Sequence, residues 1–277
     1  MSITGQSQNR MDVTFSELRE KGGTALIPFL TVGDPDPQTT VDIIVELQAA
    51  GAHILELGVP YSDPLADGPV IQRASQRSLT HRVTIDTCLE VAEQARSRGV
   101  TMPFILFTYY NPILQYGLDR FFEQMQHYDI SGMIIPDLPV EESEEMRSRS
   151  RAAGVSLVPL VAPTSEERIA SILDGAQGFV YCVSSLGVTG ERASFHNNVE
   201  QFIRNVKANT DLPVAVGFGI SSHEQVRKFS EFCDGVVVGS AIVRQIESQI
   251  PLLTDPERKA DGLRQIRNFV SELIGSE

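Results

Sequence analysis

Three carboxylates between residues 55 and 69 are the side chains of this chain best suited to chemistry. Glu56 lies in the apolar run 52–57, and Asp63 and Asp67 follow on a segment rich in proline and glycine. If that run is a strand, Glu56 lies near its C-terminal end between two leucines. Such surroundings desolvate a carboxyl group and raise its proton affinity, so that it can give and take protons near neutral pH. We therefore expect Glu56 to be an acid–base group, rather than a structural glutamate paired with a basic neighbour.

Taken singly, Asp63 and Asp67 are weaker candidates for a chemical role than Glu56. Asp-Pro and Asp-Gly are common turn sequences, and either residue alone is more typical of a structural turn. Both, however, belong to one long loop that follows the Glu56 strand. This placement favours a mobile active-site segment.

The elements that must position these groups are short β-rich runs separated by helical segments. The runs are almost continuously apolar, which is typical of parallel strands covered on both faces. They cover residues 24–31, 53–57, 103–108, 132–135, 155–160, 179–183, 213–217 and 235–238.

Eight strands alternating with helices predict an α/β fold, a single (β/α)8 TIM barrel. The alternative is an open doubly wound sheet, but residues 31–35 lack the glycine-rich turn that usually follows its first strand. Extra helices are predicted at residues 14–21 and 255–274. We expect one domain over residues 1–277, with residues 1–13 as a flexible N-terminal extension.

Glycine-containing segments follow the last three predicted strands, at residues 187–190, 216–221 and 238–241. Barrel enzymes work at the C-terminal ends of their strands, where glycine loops and a helix N-terminus often bind phosphate through backbone N–H groups. Apolar side chains near the strand ends would form a slot beside this phosphate site. They are Phe29, Tyr109, Ile134, Leu160, Tyr181 and Phe218.

Composition narrows the range of partners. A net charge of -13 and a pI near 4.9 argue against nucleic acid or an anionic membrane surface. Cys88, Cys182 and Cys233 show no metal-ligand spacing, which favours buried thiols in a reducing compartment and no metal. The polar segment 2–10 is not a secretory signal, and no apolar run is long enough to span a membrane. We expect a cytoplasmic protein.

Taken in order, these motifs resemble the tryptophan synthase α-subunit family along nearly the whole chain. The most specific segment is 55–69. The others are 28–35, 139–142, 187–190 and 217–220.

The resemblance implies a lyase that cleaves indole-3-glycerol phosphate to indole and glyceraldehyde 3-phosphate, without a metal or organic cofactor. By this resemblance Glu56 is the general acid/base, and Asp67 stabilises positive charge on the indole nitrogen. The six apolar residues would pack the indole. The phosphate would be held by Gly190, Phe218, Gly219, Gly239 and Ser240.

The family also implies a partner. Thr189 lies on a loop expected to close over the substrate and contact Asp67, while Pro60, Asp63 and Asn111 match positions near the contact with a β subunit. That subunit would receive indole in an α2β2 heterotetramer and hold the pyridoxal phosphate. Two alternatives stay open: a stand-alone lyase that releases indole, and a non-catalytic barrel that only activates the β subunit.

Overall fold

Nine parallel strands make one sheet in the part of the chain that this computed structural model describes, residues 9–184 and 196–275. The strands are β1 (Ala25–Thr31), β2 (Leu55–Gly58), β3 (Phe104–Phe107), β4 (Gly132–Ile134), β5 (Ser156–Leu157), β6 (Leu160–Val161), β7 (Val180–Val183), β8 (Val214–Gly217) and β9 (Gly235–Val238).

Twelve α-helices accompany the strands within the same ranges. They are α1 (Arg10–Glu20), α2 (Pro37–Ala49), α3 (Pro69–Leu79), α4 (Ile85–Ser97), α5 (Tyr110–Tyr116), α6 (Leu118–His127), α7 (Glu144–Ala153), α8 (Ile169–Leu173), α9 (His196–Ala208), α10 (His223–Ser230), α11 (Ser240–Leu253) and α12 (Lys259–Ile274). Short 3-10 helices cover Val140–Glu142 and Pro163–Arg168.

The sheet closes into a barrel at the predicted strand 155–160, which the structure divides into β5 and β6. The strand order is β5-β4-β3-β2-β1-β9-β8-β7-β6, and β5 and β6 are separated only by Val158 and Pro159. The Val158 N–H donates to the Met133 carbonyl at 2.9 Å, and the Pro159 carbonyl accepts from the Tyr181 N–H at 3.0 Å. Because proline has no N–H, the ladder is interrupted here and one predicted strand becomes two. The predicted (β/α)8 barrel is confirmed.

Side chains of each strand alternate between two apolar clusters. On β1, Leu26 and Leu30 pack outwards against the helices, while Ala25 and Ile27 belong to the cluster inside the barrel. Because side chains in a strand alternate with a period of two, the interior face of β2 carries Glu56. This alternation explains how a carboxyl group can occur in an otherwise apolar strand: it points into the barrel.

Helix α1 closes the N-terminal end of the barrel and begins earlier than predicted. The Asn9 side chain accepts a hydrogen bond from the Met11 N–H at 3.0 Å, which caps the helix, and Met11 is fully buried. Phe15 packs on Phe179 at a ring distance of 5.4 Å. Residues 10–13, expected in a flexible extension, therefore belong to α1.

The predicted C-terminal helix is α12, which begins at Lys259 rather than at residue 255. It packs against α2 and α11. No helix in residues 9–184 and 196–275 is both long and apolar enough to cross a membrane.

Candidate active site

Glu56 is the buried carboxyl group at the centre of the candidate site. The β2 backbone pairs it with Phe29 of β1 and Ile105 of β3, so its side chain projects into the barrel between them. Only 1% of Glu56 is exposed, and its Oε1 atom has no hydrogen-bond partner in the described part of the chain. Burial without a compensating charge disfavours the ionised form and raises the pKa of Glu56 to about 8.

Tyr181 on β7 faces the same interior space. Burial, with a smaller contribution from the negative charge of Glu56, raises the pKa of its hydroxyl well above the ordinary value. A Cβ atom at Gly217 of the neighbouring strand β8 would lie 2.5 Å from the Tyr181 hydroxyl oxygen. Glycine at this position therefore leaves the space that the tyrosine side chain fills.

Asp67 is held by Tyr109, which begins the turn into α5. The Tyr109 hydroxyl accepts a hydrogen bond from the Ala66 N–H at 3.0 Å, and it also hydrogen-bonds to the Asp67 carboxyl group. Its ring packs on Tyr61 at 5.1 Å. Burial raises the pKa of Asp67 to about 6, and the Tyr109 hydrogen bond limits the rise. The sequence placed Tyr109 only in the apolar slot and gave no sign of this contact.

The apolar residues predicted at the strand ends separate into two groups. Ile134 and Leu160 pack in the interior cluster, and Phe29 lies in a small adjoining cluster, where it meets Phe107 edge-on at 5.5 Å. Phe107 was not singled out from the sequence, although it ends an apolar run. Phe218 lies apart from them, because its ring stacks on Phe229 of α10 at 6.0 Å.

Two of the predicted glycine segments follow β8 and β9 at the same end of the barrel, where Gly219 is exposed and Gly239 and Ser240 are half-buried. Gly219 follows β8 with a φ of +70°, a conformation that favours glycine. Gly239 precedes α11, whose first residue is Ser240. The first N–H groups of a helix lack internal partners and attract anions. Thr189 and Gly190 lie outside the described residues.

The residues predicted at a partner contact lie on the segment between β2 and α3 and on α5. Pro60 is buried and Asp63 is exposed, while the Asn111 amide donates to the Tyr61 hydroxyl at 3.4 Å. The same two segments carry the exposed large hydrophobic side chains of the described ranges: 77% of Leu65 and 48% of Leu114 are exposed.

No cluster of three or more histidine, cysteine, aspartate or glutamate side chains in residues 9–184 and 196–275 could hold a metal ion. Cys88, Cys182 and Cys233 are buried and free. Burial is the main cause that raises the pKa of each thiol.

The fold and the site together define a class of protein. A parallel (β/α)8 barrel places a buried carboxyl group, a second carboxyl group on a loop and a helix N-terminus at the C-terminal ends of its strands, which is the arrangement of a barrel enzyme.

Comparison with known proteins gives the family. The family model described as tryptophan synthase alpha chain matches residues 15–273. The tryptophan synthase alpha chain of Halalkalibacterium halodurans is 52% identical over 250 residues, which cover 90% of this chain and 94% of the relative. That of Bacillus subtilis strain 168 is 49% identical over 90% of this chain and 93% of the relative.

Solved structures agree with the sequence relatives. Mycobacterium tuberculosis tryptophan synthase has a chain that superposes with a TM-score of 0.84 at 35% identity, covering 96% of this chain and 97% of that one. The alpha subunit from Legionella pneumophila gives 0.83 at 36% identity, covering 95% and 99%. The chain belongs to the tryptophan synthase alpha chain family, and it is an enzyme subunit of the lyase class that cleaves indole-3-glycerol phosphate.

Proposed function

We propose that this chain cleaves indole-3-glycerol phosphate with Glu56 as the proton-transfer group and Asp67 as the electrostatic group. The observation that supports this assignment is the difference between the two carboxyl groups. With a pKa of about 8, Glu56 is mostly protonated at pH 7, whereas Asp67, with a pKa of about 6, is mostly ionised. Two carboxyl groups whose pKa values are pushed apart by their surroundings suit an acid role and a charge-stabilising role.

Glu56 completes a proton cycle in this mechanism. Its neutral carboxyl group first gives a proton to C3 of the indole ring, which forms the protonated indolenine (an indoleninium cation) and makes the ring a feasible leaving group. The resulting carboxylate then takes the proton from the glycerol hydroxyl as the carbon–carbon bond breaks and the aldehyde forms. The bonding electrons pass to the indolenine, indole is released, and Glu56 is protonated again.

Asp67 acts on the other end of the indole ring. Protonation at C3 places positive charge on the ring nitrogen, and an ionised carboxylate beside the N–H stabilises it. The Tyr109 hydroxyl and the Ala66 N–H contact hold the loop that carries Asp67. By the same family resemblance, Thr189 would contact Asp67 when the segment that carries Thr189 closes over the substrate.

The rest of the substrate is assigned to the apolar slot and the helix N-terminus. The indole ring packs against Phe29, Tyr109, Ile134, Leu160 and Tyr181. The Phe218 side chain stacks on Phe229 instead, so Phe218 is assigned only to the phosphate site, together with Gly190, Gly219, Gly239 and Ser240. Each chemical step is a proton transfer or a charge stabilisation that the side chains supply. We therefore assign no cofactor to this chain.

The assignment is tested by measuring indole release from indole-3-glycerol phosphate by the purified chain. Glu56→Gln and Asp67→Asn should each lower kcat by at least a hundredfold, because one removes the transferable proton and the other the stabilising charge. Asp119→Asn is the matched control, since the Asp119 side chain is 94% exposed on α6. Wild-type kcat in either active-site variant, with both folded by circular dichroism, would refute the assignment of that residue.

We further propose that a β subunit binds over the Asp67 loop and α5 and receives the indole. Exposed Leu65 and Leu114 support an interface there, beside Pro60, Asp63 and Asn111. Pyridoxal phosphate belongs to that subunit in the α2β2 assembly. Leu65→Ser should weaken the stimulation of indole release by an added β subunit and leave the isolated chain unaffected.

The same assay separates the alternatives. Fast indole release with no response to a β subunit would support a stand-alone lyase and contradict the complex. Absence of turnover together with activation of the β subunit would support a non-catalytic barrel.

A further inference from the structure

A four-residue ion network joins the segment after β1 to helices α3 and α11, and neither the acid–base chemistry nor the phosphate site accounts for it. Arg77 of α3 donates from Nε and Nη2 to the two carboxylate oxygens of Asp34, each at 2.8 Å. Its Nη1 donates to Glu247 of α11 at 2.7 Å. Glu247 also accepts two hydrogen bonds from Arg73, at 2.8 and 2.9 Å.

Arg77 is placed to hold these elements in a fixed relation. Asp34 is 3% exposed and lies just after β1, and 29% of the Arg77 side chain is exposed. A bidentate arginine–carboxylate pair fixes orientation as well as distance, because both groups are planar. Hydrogen bonds from Arg73 and Arg77 lower the pKa of Glu247 to about 2. This carboxylate is therefore ionised in the folded protein at neutral pH.

Helix α3 transmits this restraint to Asp67. The helix begins at Pro69, and the Gln72 side chain in its first turns donates to the Asp67 carbonyl at 2.8 Å. In its middle, Ala74 packs in a small cluster with Phe29. A shift of α3 therefore moves the Asp67 backbone with it.

Glu247, the other partner of Arg77, lies on the helix that begins at the proposed phosphate site. Glu247 lies about two turns into α11, and the first residue of that helix is Ser240. The ion pair between Arg77 and Glu247 thus ties the helix that follows Asp67 to the helix proposed to bind phosphate. A substrate that spans both sites requires their separation to be constant.

We propose that Arg77 is a positioning residue, which sets the place of Asp67 relative to the phosphate-binding end of α11 through its contacts with Asp34 and Glu247. This inference rests on the function proposed above for Asp67. Displacement of a catalytic group by about 1 Å can cost on the order of a hundredfold in rate. Loss of the network should accordingly appear in kcat more than in KM.

The test uses steady-state indole release by the full chain. Arg77→Met, which keeps the aliphatic stem, should lower kcat at least tenfold while KM changes less than threefold. In an Asp67→Asn background the same substitution should change kcat less than twofold, because the group that Arg77 positions has lost its charge. Arg98→Met is the control: Arg98 pairs with Asp42, which also binds Lys259, in a separate network of three charges at the C-terminal end of α4. Its kcat should stay within twofold.

Wild-type kcat in folded Arg77→Met would overturn the proposal, and so would an equal loss in both Asp67 backgrounds. If Arg77→Met does not fold, Glu247→Gln decides, because it keeps buried Asp34 paired with Arg77 and removes the charge that Arg73 and Arg77 contact on α11. A loss of about threefold in kcat that disappears in the Asp67→Asn background supports the proposal, and an unchanged kcat contradicts it. The proposed function fails on a separate measurement, wild-type kcat in Asp67→Asn alone.

Discussion

Glu56→Gln should change the pH dependence of stability, and the structure gives the size of the change. Burial raises the pKa of Glu56 from an ordinary 4.5 to about 8 in the folded chain. Between these two pH values the folded state keeps a proton that the unfolded state has lost, so stability falls as pH rises. At about 1.4 kcal/mol for each tenfold change in proton affinity, the wild type loses about 5 kcal/mol of unfolding free energy across this range through Glu56.

Replacing Glu56 by neutral glutamine removes this pH-dependent loss of unfolding free energy. The free energy of unfolding of Glu56→Gln should lie within about 1 kcal/mol of wild type at pH 4.5 and exceed it by about 5 kcal/mol at pH 9. Because the chain has no tryptophan, urea unfolding is best followed by far-UV circular dichroism. Every other titrating group is common to both proteins and cancels in the difference. The control is Glu257→Gln, at an exposed position, which should show no such pH-dependent gain.

The contrary result is equally clear. If the unfolding free energies of Glu56→Gln and wild type differ by the same amount at pH 4.5 and pH 9, Glu56 does not retain its proton on folding. The proton cycle proposed for the reaction would then lose its starting state, even if the variant were inactive.

Two further predictions concern single hydroxyl groups. Tyr109→Phe removes a hydrogen bond that favours ionised Asp67, so the pKa of Asp67 should rise above its value of about 6. The acidic limb of the pH profile of kcat should then move to higher pH. An unmoved limb would contradict the contact between Tyr109 and Asp67. Thr31→Val should raise the unfolding free energy by about 1 kcal/mol in urea, because the Thr31 hydroxyl is buried and has no hydrogen-bond partner in the described ranges. Thr31→Ser keeps the hydroxyl and should not be stabilised; equal stability of the valine variant and wild type would count against this reasoning.

The sequence predicted those parts of the site that depend on local pattern. A glutamate inside an apolar run has few physical explanations, so the position of Glu56 near the end of a strand followed directly from its neighbours. The alternation of strands and helices predicted the barrel, and the predicted strand that is split in two, 155–160, is interrupted at Pro159. Proline lacks the N–H that a continuous ladder needs.

Contacts between distant segments could not be read from the sequence in the same way. Tyr109 and Asp67 are 42 positions apart by their residue numbers, and Arg77 and Glu247 are 170 apart. Nothing in the local pattern distinguishes Arg77 from an ordinary exposed helix arginine. For Phe218 the local pattern was misleading. Its position after a strand predicted a ring inside the barrel, but successive side chains of a strand point to opposite faces, and the Phe218 ring points outwards to Phe229.

The pairing of β1 with β9 has a consequence for how the chain is made. Ala25 pairs with Gly235, so β1 gains its second neighbour only after roughly 200 further residues have been synthesised. At about 5–20 residues per second, one edge of β1 stays open for on the order of 10–40 s. All seven residues of β1 are buried in the finished barrel, and an open apolar edge invites pairing with other chains. Among the strands of this sheet, β1 therefore stays open to pairing with other chains for the longest time during synthesis.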